Sequence, residues 1–152
     1  FLDPWSDPKD SGWQLIQSLY SLGSGGLFGL GLAQSRQKYL YLPYPETDFI
    51  FAIIGEELGF IGATFLIMLY LVLIWRGIRV ALTAPDLFGS LLAAGIISMI
   101  AIQVVINIAV VTASMPPTGL PLPFISYGGS SLAIFMTSIG VLLNISRHCK
   151  AA

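Results

Sequence analysis

The chain has 152 residues, 55% of them hydrophobic and only 10% charged, with a net charge of -1 at pH 7 and a mean hydropathy of +0.82. An average soluble domain carries about a quarter charged residues, so this composition points to a membrane-embedded protein and gives no basic field for nucleic acid. The single Cys149 and the single His148, both in the C-terminal tail, exclude an internal disulfide, a cysteine-based metal cluster and a buried histidine relay.

The first 48 residues do not read as a span. The chain opens FLDPWSDPKD, with neither an initiator methionine nor a signal peptide, which implies a piece of a larger protein that is inactive alone. The stretch GWQLIQSLYSLGSGGLFGLGL follows, apolar but carrying six glycines. Its spacing predicts one short amphipathic helix over 14–22, then a loop or re-entrant turn packed against protein. Within it, GSGGLFGLG is not a dinucleotide fingerprint, because Phe28 takes the last glycine position and no Gly-Lys-Ser follows. Close backbone packing is the expected role, and an anion nest of N–H groups around Gly25 and Gly26 is the sharper alternative. Arg36 and Lys38 supply cations further along.

The first span is expected over about 49–75, interrupted by Gly55, Glu56 and Glu57. Asp48 stands directly before it, and two roles are open to that residue. Aspartate is a good N-cap, but Thr47 could cap equally well and free Asp48 for chemistry. A helix N-terminus favours the ionised carboxylate, whereas apolar surroundings oppose it. At about 100° per residue, Glu57 falls opposite Asp48 and Glu56 about 80° away. Neither makes a carboxylate pair with Asp48, and bonds to neighbouring helices or loops are expected for both.

The second span is expected over about 88–113. Gln103 and Asn107 share one face there, either for interhelical hydrogen bonds or to line a polar cavity. Then comes SMPPTGLPLPFISYGGSSL, with four prolines in eight residues, expected to form a stiff outer loop. Ser126, Gly128, Gly129 and Ser130 open the third span, expected over about 128–146. Arg76 and Arg79 close the first span, and Arg147 and Lys150 follow the third, which places those ends in the cytoplasm. Spans one and three then both start at the outer face, where two helix N-termini and a glycine-rich loop suit a phosphate group.

Four stretches together resemble one family: FLDPWSDP, QSLYSLGSGGLFGLGLAQSRQKYLYLP, TDFIFAIIGEELGFIGA and MPPTGLPLPFISYGGSSL. They look like the C-terminal part of the SEDS proteins of bacterial shape, elongation, division and sporulation. The resemblance covers nearly the whole chain. It implies an all-α, polytopic membrane protein of ten spans, the last three of which lie in this chain. Residues 1–48 would be a large extracytoplasmic loop, and 49–152 the transmembrane region with a short cytoplasmic tail.

The resemblance further implies a peptidoglycan glycosyltransferase of the bacterial cell membrane. Such an enzyme polymerises lipid II, releases undecaprenyl pyrophosphate, and works with a class B penicillin-binding protein and other divisome proteins. The family's essential aspartate stands in the TDFIF motif and corresponds to Asp48, acting as base or as ligand of a divalent cation, Mg2+ or Mn2+. Arg36, Lys38, Gly25, Gly26, Gln103, Asn107, Ser126, Gly128, Gly129 and Ser130 are the expected substrate-binding residues. A lipid II flippase and a membrane scaffold are the rival readings.

Overall fold

The structure, a computed structural model, describes residues 13–31 and 49–149. Among these, all regular structure is helical: α1 (Trp13–Ser24), α2 (Ile50–Thr83), α3 (Leu87–Val111) and α4 (Gly129–His148). The last three are long and apolar enough to cross a membrane.

α1 covers the predicted 14–22 and adds one residue at the start and two at the far end. Leu15, Ser18 and Ser21 lie at helical spacing and are buried to 2% exposure or less. The Ser18 hydroxyl lies 2.8 Å from its own-turn carbonyl at Leu15 and 3.0 Å from the carbonyl of Val111, so α1 docks on the end of α3.

α2 and α3 form an antiparallel hairpin through a short link. Ala84 precedes Pro85, and the proline ring forces it out of the helical region, to φ -60 and ψ 137. α2 therefore runs to Thr83, two turns beyond Trp75, where the first span was expected to end. Asp86 then caps α3, its Oδ2 accepting from the Gly89 N–H at 3.1 Å.

Small residues let the helices approach closely, as membrane helices require. Gly77 faces Ile97, and Ala81 and Ala93 pack with Leu142 of α4. The Ser90 hydroxyl donates to the Ala81 carbonyl at 2.7 Å. Ala93 is fully buried at this three-helix crossing. Ala93→Leu should therefore cost about 1–3 kcal/mol through overpacking, read as a lowered unfolding midpoint in detergent. Gly95→Ala, at a position with open space around it, should not lower the midpoint.

Candidate functional site at the capped end

α2 is not one helix. Gly59 sits inside it at φ 68 and ψ -168, a region open essentially to glycine alone. The break divides a half-helix, 50–58, from a long segment, 60–83. That second segment reaches roughly 36 Å at 1.5 Å per residue, enough to cross a hydrocarbon core of about 30 Å.

A broken helix leaves carbonyls on one side and N–H groups on the other without partners. In a membrane such groups must be satisfied by protein. The loop after α1 does this. The N–H groups of Leu30 and Gly31 donate to the carbonyls of Glu56 and Glu57 at 3.0 and 3.1 Å. The N–H groups of Phe60 and Ile61 donate to the carbonyls of Gly26 and Leu27 at 2.9 and 3.3 Å. The loop is thus spliced into the helix through four main-chain bonds.

That contact needs glycine on both sides. A Cβ on Gly25 would lie 2.0 Å from the Gly55 carbonyl oxygen, and one on Gly29 2.1 Å from that of Glu57. Gly25 is buried and its N–H is bonded to the Ser21 carbonyl. This is the close backbone packing expected of the stretch. Gly26 is exposed, but its carbonyl belongs to the splice.

Glu56 is buried beside the splice, and its Oε2 accepts from the Ser21 hydroxyl at 3.1 Å. This is the neighbour bond expected of it. Glu57 is half-buried.

The N-cap of α2 is Phe49, at φ -107 and ψ 19, with no side-chain cap bond. Its carbonyl accepts from Ala52 and Ile53. The cap position therefore falls on neither Thr47 nor Asp48. Asp48, Arg36 and Lys38 themselves lie outside the described residues. Phe49, one residue on from Asp48, is buried to 2%.

The second half of the proline loop packs against the bundle. Gln103 Nε2 donates to the Pro121 carbonyl at 3.1 Å, and Asn107 Nδ2 to that of Leu120 at 2.8 Å. From α2, the Tyr70 hydroxyl donates to the Pro123 carbonyl. Within the loop, the Leu122 N–H donates to Ser126 Oγ at 2.7 Å. Phe124, at φ 68, packs its ring 5.6 Å from that of Phe135, tilted by 58°. Gln103, Asn107 and Ser126 are brought together here, bonded to loop backbone.

The loop delivers the chain to α4, whose N-cap is Gly128 with no side-chain cap bond. Gly129 and Ser130 are exposed at this helix start. α2 and α4 run parallel, since Tyr70 bonds Pro123 just before α4 and Ala81 packs with Leu142 late in it. The Cys149 thiol meets the Val80 carbonyl. Ala81 packs with Leu142, so counting back along the two helices puts Gly129 nearer Tyr70, whose hydroxyl holds the loop at Pro123, than the break at Gly59. Ile108 and Thr112, at the end of α3, share an apolar cavity of about 330 Å³ with Leu22, Gly26, Phe51 and Gly59. One end of the bundle thus carries the splice and the cavity, and the proline loop returns from that end to Tyr70, Gln103 and Asn107.

Among the described residues, no three His, Cys, Asp or Glu side chains come together to hold a metal ion. The break, the Tyr70 tether and the Asp86 cap were missed in the sequence. The available signal for the break was Gly55-x-x-x-Gly59 inside an apolar run, with two more glycines at 29 and 31.

The family model of FtsW, RodA and SpoVE, described as a cell cycle protein, matches residues 1–151. The chain is 65% identical to stage V sporulation protein E of Bacillus subtilis (strain 168), covering 99% of this chain and 41% of that one. It is 53% identical to "Probable peptidoglycan glycosyltransferase FtsW" of the same organism, covering 97% and 37%. Its fold matches a chain of a solved peptidoglycan synthase complex with a TM-score of 0.80 at 34% identity, covering 99% and 40%. It also matches the crystal structure of the rod shape determining protein RodA of Thermus thermophilus, with a TM-score of 0.65 at 38% identity, covering 89% and 40%. The chain spans about two fifths of the length of these relatives. It is a membrane protein segment that belongs to the FtsW/RodA/SpoVE family of cell cycle proteins.

Proposed function

We propose that this chain is the C-terminal, catalytic segment of a peptidoglycan glycosyltransferase that polymerises lipid II during division or sporulation. The relative named FtsW above, and the matched chain from a peptidoglycan synthase complex, support that reading. The catalytic assignment rests on Asp48 of the TDFIF motif, which directly precedes Phe49, the N-cap of α2.

In this reading the arginine end of the bundle is cytoplasmic, and the capped end faces outward within a ten-span protein. The 4-hydroxyl of the acceptor sugar attacks the anomeric carbon of the lipid-linked donor. A new glycosidic C–O bond forms as the bond from that carbon to phosphate breaks. The hydroxyl proton passes to Asp48, and undecaprenyl pyrophosphate leaves. The exposed start of α4 at Gly128, Gly129 and Ser130, with Arg36 and Lys38, holds the pyrophosphate. Gln103, Asn107 and Ser126 act through the proline loop, fixing where that helix begins. The apolar cavity beside Gly59 suits part of a lipid chain.

A divalent cation at Asp48 would offset pyrophosphate charge. A class B penicillin-binding protein and other divisome proteins are the proposed partners.

The pyrophosphate site is testable by charge. Gly129 has open space around it, and an acid in the first turn favours the helix. Gly129→Glu in a full-length family protein carrying this sequence should fold normally yet raise KM for lipid II about tenfold. An unchanged KM in polymerisation assays would remove α4 from the substrate site.

A further inference from the structure

We infer that Gly59 is a positioning residue for the reaction, and this rests on the glycosyltransferase reading above. Two of the splice bonds join the loop 25–31 to the half-helix 50–58 as one unit, and the other two tie that loop to the spanning segment at Phe60 and Ile61. Ser21 Oγ adds a fifth bond through Glu56, and Leu22 packs on Gly55. Within α2, the single non-helical residue linking this unit to the spanning segment is Gly59. Its φ and ψ, locked by loop bonds on both sides of the break, set the angle at which the half-helix, and the chain entering it at Phe49, sits over the bundle.

A side chain at 59 is excluded twice. The backbone conformation is one that L-residues avoid, and a Cβ would lie 2.4 Å from the Gly29 nitrogen and 2.6 Å from the Leu27 oxygen. Relief needs the splice to open and the half-helix to swing towards a continuous helix. The start of α2 would move by more than the roughly 1 Å that already costs an enzyme about a hundredfold.

The test uses a full-length family protein carrying this sequence, in detergent with its transpeptidase partner. Hydrogen exchange read by mass spectrometry follows the amides of residues 30, 31, 60 and 61, and lipid II polymerisation gives kcat and KM. Gly59→Ala should deprotect those amides and lower kcat at least about tenfold, with KM within about twofold. Gly29→Ala, which opens the same splice from the other side, should do likewise. The double variant should be no worse than either single one, because both break one unit.

If Gly59→Ala does not accumulate, Ser21→Ala keeps every splice bond and should lower kcat about threefold with KM unchanged. Deprotection of 60 and 61 with an unchanged kcat overturns the inference, as does a loss confined to KM. Wild-type protein that makes no polymer sinks the glycosyltransferase reading instead, while the amide protection stands as a separate result.

Discussion

Asp48→Asn in a full-length family protein carrying this sequence should lower the rate of glycan-strand synthesis from lipid II by about a hundredfold or more. A positioned general base contributes roughly two to four orders of magnitude, and asparagine cannot take the proton. The substitution is nearly isosteric, and the N-cap of α2 falls on Phe49. Folding stability should therefore change by no more than about 0.5 kcal/mol. The pairing of a large rate loss with an unchanged unfolding midpoint separates a catalytic carboxylate from a capping one. A normal strand length and rate would end the catalytic assignment, and a lowered midpoint would return Asp48 to a structural role.

Gly25→Val should be the most destabilising single change at the capped end, costing about 3 kcal/mol or more. A Cβ there would lie 2.0 Å from the Gly55 oxygen and 2.9 Å from the Glu56 Cα, all of it backbone. No side chain can rotate away to make room, so the loop must leave the break. The carbonyls of Glu56 and Glu57 and the N–H groups of Phe60 and Ile61 then lose their partners in a membrane setting. Gly23→Ala is the contrast. Gly23 lies in α1 with nothing near its missing Cβ, and alanine there should stabilise by about 0.5–1 kcal/mol. Thermal unfolding in detergent reads both, and equal midpoints for the two variants would contradict the splice.

The three long helices were legible because length and apolarity alone identify a membrane helix. Their phase was not. α2 and α3 are apolar on every side, so periodicity has no polar face from which to read which residues pack. The ends of α2 show the same limit. Pro85 stops the helix through Ala84, yet Trp75, Arg76 and Arg79 mimic an interfacial end two turns earlier; the Arg79 guanidinium lies 4.7 Å from the Trp75 ring centre. At the other end, Thr47 and Asp48 both looked like caps, and the helix begins one residue later on a phenylalanine.

Other features depend on chain brought in from elsewhere. Gln103 and Asn107 were readable as one polar face, but their partners are carbonyls of a loop that folds back beside them. The proline count suggested stiffness and said nothing of direction. The glycines of the splice were visible as two separate clusters, around 25–31 and 55–62. Only a backbone passing within van der Waals distance of another explains why both need to lack a Cβ. Glu56 stood out as an acid in an apolar run, and its bond to Ser21 accounts for part of its burial.

The most direct test is polymerisation by full-length protein purified in detergent, with its class B partner and labelled lipid II. No bilayer is present, so movement of lipid II across a membrane cannot contribute. Glycan strands should form with Asp48 intact, and almost none with Asp48→Asn. Absence of strands from the intact protein, together with Asp48-dependent transfer of lipid II across reconstituted vesicles, would contradict the glycosyltransferase reading and assign the family segment to transport.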